Sequence, residues 1–316
     1  MTAPTLKIWL VHLGLLAVLA AAFFVLPSYH ATNMARIMVL AVFATGYNIA
    51  FGYTGLLSLG HALFFAAGMY GAGLSGLPAL PALIAGTLAG GAAAVAVGLL
   101  ALRTAGVSYM IVTLMFAQAG YLTLLYFGAV TGGDEGFVVP SEARLILGFD
   151  LSADAPRYAA ALILFGLSLL ACLVLVRSRF GRVLVAMREN AERSRMLGYN
   201  PYSVQLTAMA ISGLYAGLAG AGYAVLFGYV GASFATIQYS ILPMLYVLLG
   251  GAGIVLGPFL GALVMFYLIE GASSLTTAHL FVVGVALVVL VLFAPKGILG
   301  WVRGRIQSNG GATWLP

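Results

Sequence analysis

Long, continuously apolar runs fill this chain, separated by short clusters of Gly, Pro and charged residues. A bilayer core about 30 Å thick takes roughly 20 apolar residues as helix. Helix follows, because a barrel would show short alternating segments instead. The pattern predicts ten segments: Ile8–Leu26, Ile37–Tyr53, Leu56–Leu74, Pro81–Leu102, Val107–Phe127, Tyr158–Val176, Ser203–Tyr229, Ile241–Leu256, Phe259–Leu275 and Ala278–Phe293. The third, eighth and ninth are short or broken. Ile8–Leu26 is longer than a signal-peptide core, and Pro27-Ser28-Tyr29-His30 lacks the small-residue cleavage pattern, so it reads as the first span.

Composition narrows the class. The 316 residues are 63% hydrophobic and 7% charged, with mean hydropathy +1.09. A soluble domain is about 45–50% apolar and about 25% charged. A soluble enzyme, a disordered chain and a fibrous repeat are excluded. The expected fold is an all-α, polytopic membrane bundle. Cys172 is the single cysteine, so no intrachain disulfide holds it. The net charge of +6 does not indicate nucleic acid, because the basic residues flank apolar runs.

Charge also orients the segments. With ten crossings and both termini cytoplasmic, eleven basic residues fall inside: Lys7, Arg103, Arg177, Arg179, Arg182, Arg188, Arg193, Arg195, Lys296, Arg303 and Arg305. Only three, Arg36, Arg144 and Arg157, fall outside. This is the positive-inside bias. The loop Gly128–Arg157 carries Asp134, Glu135, Glu142, Asp150 and Asp154, and reads as external. Residues 1–306 therefore form one membrane domain, with an external loop at 128–157 and a basic cytoplasmic segment at 177–200. The polar tail Gln307–Pro316 is expected to be disordered.

Small-xxx-small spacings at Gly86/Gly90, Gly213/Gly217 and Gly253/Gly257/Gly261 suit close helix packing in lipid. Two stretches go beyond packing. One runs from Gly46 to His61 and holds Asn48, Gly52, Gly55, Ser58 and Gly60. The other runs from Leu249 to Pro258 and holds Gly250, Gly251, Gly253 and Gly257. Either both are plain turns, or they are interrupted helices in two halves of an inverted repeat around a central pathway.

No residue set supports catalysis. Lys7 and Lys296 do not follow glycine, so a phosphate-binding Gly-Lys loop is absent. His12, His30, His61 and His279 are scattered and offer no metal site. His61 and Glu270 are ionisable groups within apolar surroundings. His61 reads as a hydrogen-bonded packing residue or a pathway group, and Glu270 as a helix-end or functional carboxylate. In Arg177–Asn200, Arg188/Glu192 and Glu189/Arg193 have the i,i+4 spacing of a surface helix. Met187, Ala191 and Leu197 give it an apolar side, Gly198 can end it, and Pro201 cannot continue it. Such a helix can lie in a partner's groove.

Four stretches together resemble a known family. They are Gly52-Tyr53-Thr54-Gly55 through Ser58-Leu59-Gly60-His61 to Gly68-Met69-Tyr70; Thr131-Gly132-Gly133-Asp134-Glu135-Gly136; Arg188-Glu189-Asn190 through Arg193 to Leu197-Gly198; and Leu249-Gly250-Gly251 through Gly257-Pro258 to Phe293-Ala294-Pro295-Lys296-Gly297. In this order they resemble the permeases of branched-chain amino-acid ABC importers, the M-type Liv branch in particular. The resemblance implies a subunit of a bacterial inner-membrane importer that is not itself an enzyme. It implies a homologous second permease, two cytoplasmic ATPases that bind ATP and Mg, and an external substrate-binding protein. It assigns Arg188, Glu189, Asn190, Arg193, Leu197 and Gly198 to ATPase coupling. Asn48, Ser58, His61 and Gln118 are the polar candidates for lining the pathway. Alternatives remain: the same fold carrying urea, short amides or other amino acids; an ion-coupled secondary transporter using Glu270; or a structural subunit without a pathway.

Overall fold

The computed structural model describes residues 3–308, apart from Leu147 and positions 276, 277, 279, 280, 282, 283, 286, 287, 289–291 and 293–295. The tenth predicted segment and the Phe293-Ala294-Pro295 motif therefore lie largely outside the described residues. So does the tail beyond Ser308.

The helices are α1 (Ala3–Ala22), α2 (Ser28–Asn48), α3 (His61–Gly73), α4 (Ala79–Ala101), α5 (Val107–Tyr126), α6 (Gly128–Thr131), α7 (Asp154–Arg177), α8 (Arg179–Glu189), α9 (Ala191–Met196), α10 (Pro201–Phe227), α11 (Ile237–Gly250) and α12 (Gly257–Leu275). A further helix covers Gly297–Ser308 and so takes in the first two residues of the predicted tail. Six helical stretches are long and apolar enough to cross a membrane, and two shorter apolar helices, Leu6–Ala22 and Ile237–Gly250, join them. Among the described residues, strand is confined to β1 (Phe137–Val138) paired with β4 (Tyr229–Val230), and β2 (Leu145–Ile146) paired with β3 (Phe149–Asp150).

The bundle has two distinct ends. The 128–157 loop, the end of α3 and the 229–235 turn meet at one, where Phe137 pairs with Val230. The other, the basic end, gathers the close of α2, α8, α9 and the turn after α11, where Arg188 donates to the Gly52 carbonyl. Chain ends of the helices obey ordinary capping chemistry. Asn200 accepts from Tyr202 N at 3.1 Å, and Pro201 opens α10 where its missing N–H costs nothing. Gly228 closes α10 at φ 71°. There Arg144 reaches back from the loop. Its Nε donates to Val225 O at 2.8 Å and its Nη2 to Leu226 O at 2.7 Å. A buried cation thus satisfies the negative end of the longest helix. Burial, with Arg157 nearby, pulls the guanidinium below its ordinary range, and Asp150 opposes this.

Three positions differ from the sequence reading. The second helix begins at Ser28, nine residues before Ile37, so Arg36 lies inside α2 and not in an external loop. The polar residues before Ile37 misled the pattern because Tyr29 and Asn33 spend their polarity on Glu270 of α12. The third segment shortens to the 13 residues of α3. The basic segment is not one helix: Asn190 stops α8 and caps α9, accepting from Arg193 N at 2.8 Å. The break prevents the Arg188/Glu192 and Glu189/Arg193 pairs. Among the described residues the ion pair formed is Arg157–Asp154 at 3.3 Å.

Packing repeats itself across the chain. α3 lies against α4 and α10, and α11 lies against α12 and α2. The trio α2, α3, α4 therefore corresponds to α10, α11, α12, each leading helix packing on the other trio's short helix. α2 ends at the basic end and α10 at the loop end, so the two trios run in opposite directions, as in an inverted repeat. Close approach depends on glycine: a Cβ on Gly217 would stand 2.8 Å from Gly86 O and 2.9 Å from Gly90 Cα. Overpacking of this kind costs about 1–3 kcal/mol. Gly217→Ala is expected to lower the thermal midpoint in detergent, whereas Gly14→Ala, with nothing within 4 Å of the new methyl, leaves it unchanged or raised.

Candidate functional site

Neither short helix can cross a bilayer. At 1.5 Å per residue α3 covers about 20 Å and α11 about 21 Å. An irregular run completes each: residues 54–60 lead into α3, and 228–236, with a 3-10 turn at Ala232–Ala235, lead into α11. The first turns of the two helices meet within the bundle, where Ala62 N donates to Ser240 Oγ at 3.1 Å. Ser212 fixes the depth, since it sits near the middle of α10 and its Oγ lies 2.8 Å from His61 Nε2.

The irregular backbone here is satisfied by side chains. Leu59 N donates to Thr113 Oγ1 and Gly60 N to Ser58 Oγ, each at 3.1 Å. Gly60 tolerates no Cβ, which would fall 2.8 Å from Thr113 O. Non-helical backbone at membrane depth survives only when protein or water meets its polar groups. Two groups at this centre lack a partner: His61 Nδ1 and Tyr47 Oη are buried without a hydrogen bond. The two rings meet edge-on at 4.7 Å between centroids. The structure thus brings Ser58 and His61 together with Thr113, Ser212 and Ser240. The last three are polar residues inside apolar helices, and that was their only signal in the sequence.

Asn48 sits elsewhere, at the basic end. Its Nδ2 donates to Ile254 O at 3.0 Å, and its Oδ1 accepts from Gly253 N at 2.9 Å. One amide therefore ties α2 to the turn between α11 and α12. The last turn of α2 widens into a π-helix over Ile49–Tyr53, exposing the Gly52 carbonyl that Arg188 takes. Gly52 and Gly253 touch closely, for a Cβ on Gly52 would lie 2.6 Å from Gly253 N. Gly253 itself adopts φ 77°, a region that side chains disfavour. Gly250 and Gly257 pack on each other beside it, and Gly251 packs on Gly297. Gly55, at φ 76°, lies against the Arg188 stem. The interrupted stretches of the two halves, far apart in sequence, are one junction in space, and Arg188 of α8 is fastened to it.

The other residues that the resemblance assigns to coupling lie on the basic end. Glu189, Asn190 and Arg193 are exposed, and Gly198 turns the chain at φ 90°. Met196 is 86% and Leu197 72% exposed. Beside them a groove of about 620 Å³ is lined by Leu102, Glu192, Arg195, Tyr199, Tyr202 and Gln205. Gln118 is separate from all of these, half-buried on α5. Glu270 accepts from Asn33 Nδ2 at 3.2 Å and from Tyr29 Oη, at the opposite end of the bundle. Among the described residues no group of His, Cys, Asp and Glu could hold a metal ion.

Asn48→Leu is expected to strand both the Ile254 carbonyl and the Gly253 amide, at about 1–3 kcal/mol for each buried group. The check is thermal unfolding of the detergent-solubilised chain, where Asn48→Leu should fall well below Asn48→Gln.

Comparison with known proteins agrees with this architecture. Residues 29–294 match the family described as branched-chain amino acid transport system / permease component. The chain is 30% identical to the high-affinity branched-chain amino acid transport system permease protein LivM of Escherichia coli K12, covering 94% of this chain and 76% of that protein. It is 26% identical to LivH of Salmonella typhimurium, over 82% of this chain and 91% of that one. A shorter match, 31% identical over 43% of each chain, reaches the autoinducer 2 import system permease protein LsrC of Photorhabdus luminescens. No solved structure matches. With most of its length matched, and with its interrupted helices paired as an inverted repeat, this chain belongs to the family of branched-chain amino acid transport permeases.

Proposed function

We propose that this chain is the membrane-spanning permease of an ATP-driven importer, carrying branched-chain amino acids inward by alternating access. The observation that carries this reading is the attachment of Arg188 to the Gly52 carbonyl, at the junction of both interrupted stretches. A push on α8 is then delivered to both halves of the repeat at once. The chain has no Gly-Lys phosphate loop, so the push comes from elsewhere. Two cytoplasmic ATPases, binding ATP and Mg, supply it through the exposed surface of Glu189, Asn190, Arg193, Met196 and Leu197. The apolar knob at Met196 and Leu197 and the groove beside it suit a protein partner.

The basic end faces the cytoplasm of a bacterial inner membrane, as its arginines require. Both termini lie on that side, and the 128–157 loop faces outward to receive a loaded binding protein. A homologous second permease covers α5, which buries only Tyr109, Thr113 and Ala117 within this chain. Gln118, which forms no hydrogen bond among the described residues, then finds a partner across that interface or in the pathway. A zwitterion crossing bare lipid would desolvate two charges. Polar groups at the meeting point of α3 and α11 lower that cost.

The test is labelled leucine uptake by the assembled importer. Glu189→Ala with Arg193→Ala should reduce uptake at least tenfold and release the ATPases in pull-down, while the permease still folds. Excess valine should compete and urea should not. Unchanged uptake in the double variant would favour an ion-coupled carrier, and competition by urea would replace the substrate.

A further inference from the structure

Arg36 stands inside α2 with no hydrogen bond or ion pair among the described residues. It lies about 12 Å along α2 from Ser28, counting 1.5 Å per residue, and its Nε is buried without a hydrogen-bond partner. Among the described residues no carboxylate stands within ion-pair distance of it. Glu270 of α12, which meets α2 one turn nearer its start, is engaged by Tyr29 and Asn33 instead. The contact Arg36 does make is with an aromatic face: its Cζ lies 5.3 Å from the Phe227 ring centre. An intramembrane guanidinium with unused donors is costly, and such residues mark ligand pathways.

Its surroundings have a definite chemistry. Phe227 meets Tyr223 at 4.7 Å between ring centres, Tyr223 meets Phe234 at 4.9 Å, and Phe234 meets Tyr239 at 4.7 Å. Phe234 lies in the run leading into α11, and the first turn of α11 has no side-chain cap. Arg36, Tyr223, Phe227 and Tyr239 are each partly exposed, whereas Phe234 is buried beneath them.

We propose that Arg36 receives the α-carboxylate of the incoming amino acid, and that the wall of Phe227 and Tyr239, backed by the buried Phe234, receives its aliphatic side chain. A guanidinium presents paired N–H donors that match a carboxylate. Aromatic faces accept branched methyl groups without a polar cost. The inference rests on the transport reading above and adds a permease-borne subsite to it, between the external loop and the meeting point of α3 and α11.

The test is equilibrium binding of labelled leucine to the purified permease–ATPase complex without the substrate-binding protein. Isocaproate, which keeps the carboxylate and lacks the ammonium, should compete. Isoamylamine, which keeps the ammonium and lacks the carboxylate, should not. Arg36→Gln should weaken leucine binding at least tenfold, and Arg36→Lys should recover part of the loss. Equal competition by the two analogues, wild-type affinity in Arg36→Gln, or no binding of leucine to the wild-type complex would each overturn the proposal. If Arg36→Gln fails to assemble, the analogue pair on the wild type still decides. Failure of the transport reading is separate: it would appear as no leucine import by the complete wild-type importer, whatever the binding result.

Discussion

Inside a bilayer, every peptide group must find its hydrogen bond within the protein. The architecture of this chain turns on how it meets that demand where its helices break. Continuous helices meet it by themselves. The two interrupted stretches cannot, and each borrows side chains from other helices. Asn48 serves Ile254 and Gly253. Ser240 serves Ala62, and Thr113 serves Leu59. Arg188 takes the carbonyl freed by the π-turn at Gly52. The bonds of Asn48 and Ser240 join the two trios, whereas those of Thr113 and Arg188 bring in α5 and α8 from outside them.

The same bonds make the junction suited to motion. Packed glycines let the two halves touch backbone to backbone, so there is little side-chain bulk to interlock. What holds them is a small number of directional bonds at the basic end. In the proposed mechanism a displacement of α8 acts on those bonds through Arg188. The opposite end is held differently, by Arg144 on the carbonyls closing α10 and by the pairing of Phe137 with Val230. Between the ends lie the meeting point of the half-helices and the aromatic wall beside Arg36.

Much of this was legible in the apolar pattern. Nine of the ten predicted segments have helices at their places, because a stretch of 20 apolar residues has one way to satisfy its backbone in lipid. The interruptions were visible as glycine with proline or polar residues, and Asn48, Ser58 and His61 stood out as polar side chains beside them. Arg36 was misplaced for an equally physical reason. Hydropathy marks polar residues as outside the membrane, yet Tyr29, Asn33 and Arg36 share one helix face and meet partners or rings there. Asn190 was read as part of a helix from the i,i+4 spacing of the charges around it, but its side chain caps Arg193 N and so ends the helix there.

The sequence by itself determined that the chain is a helical membrane protein, roughly where its helices run, and which segments resist continuous helix. Those are local properties: transfer of side chains into lipid and the backbone preferences of Gly, Pro and Asn. Only the tertiary structure decided that the interruptions near residues 52 and 253 are one junction, that α3 and α11 meet at their first turns, and that Arg36 lies among aromatic rings without a carboxylate. These depend on contacts between residues some 200 positions apart. Such pairings follow from which helix faces pack together, and no periodicity within a single segment encodes them.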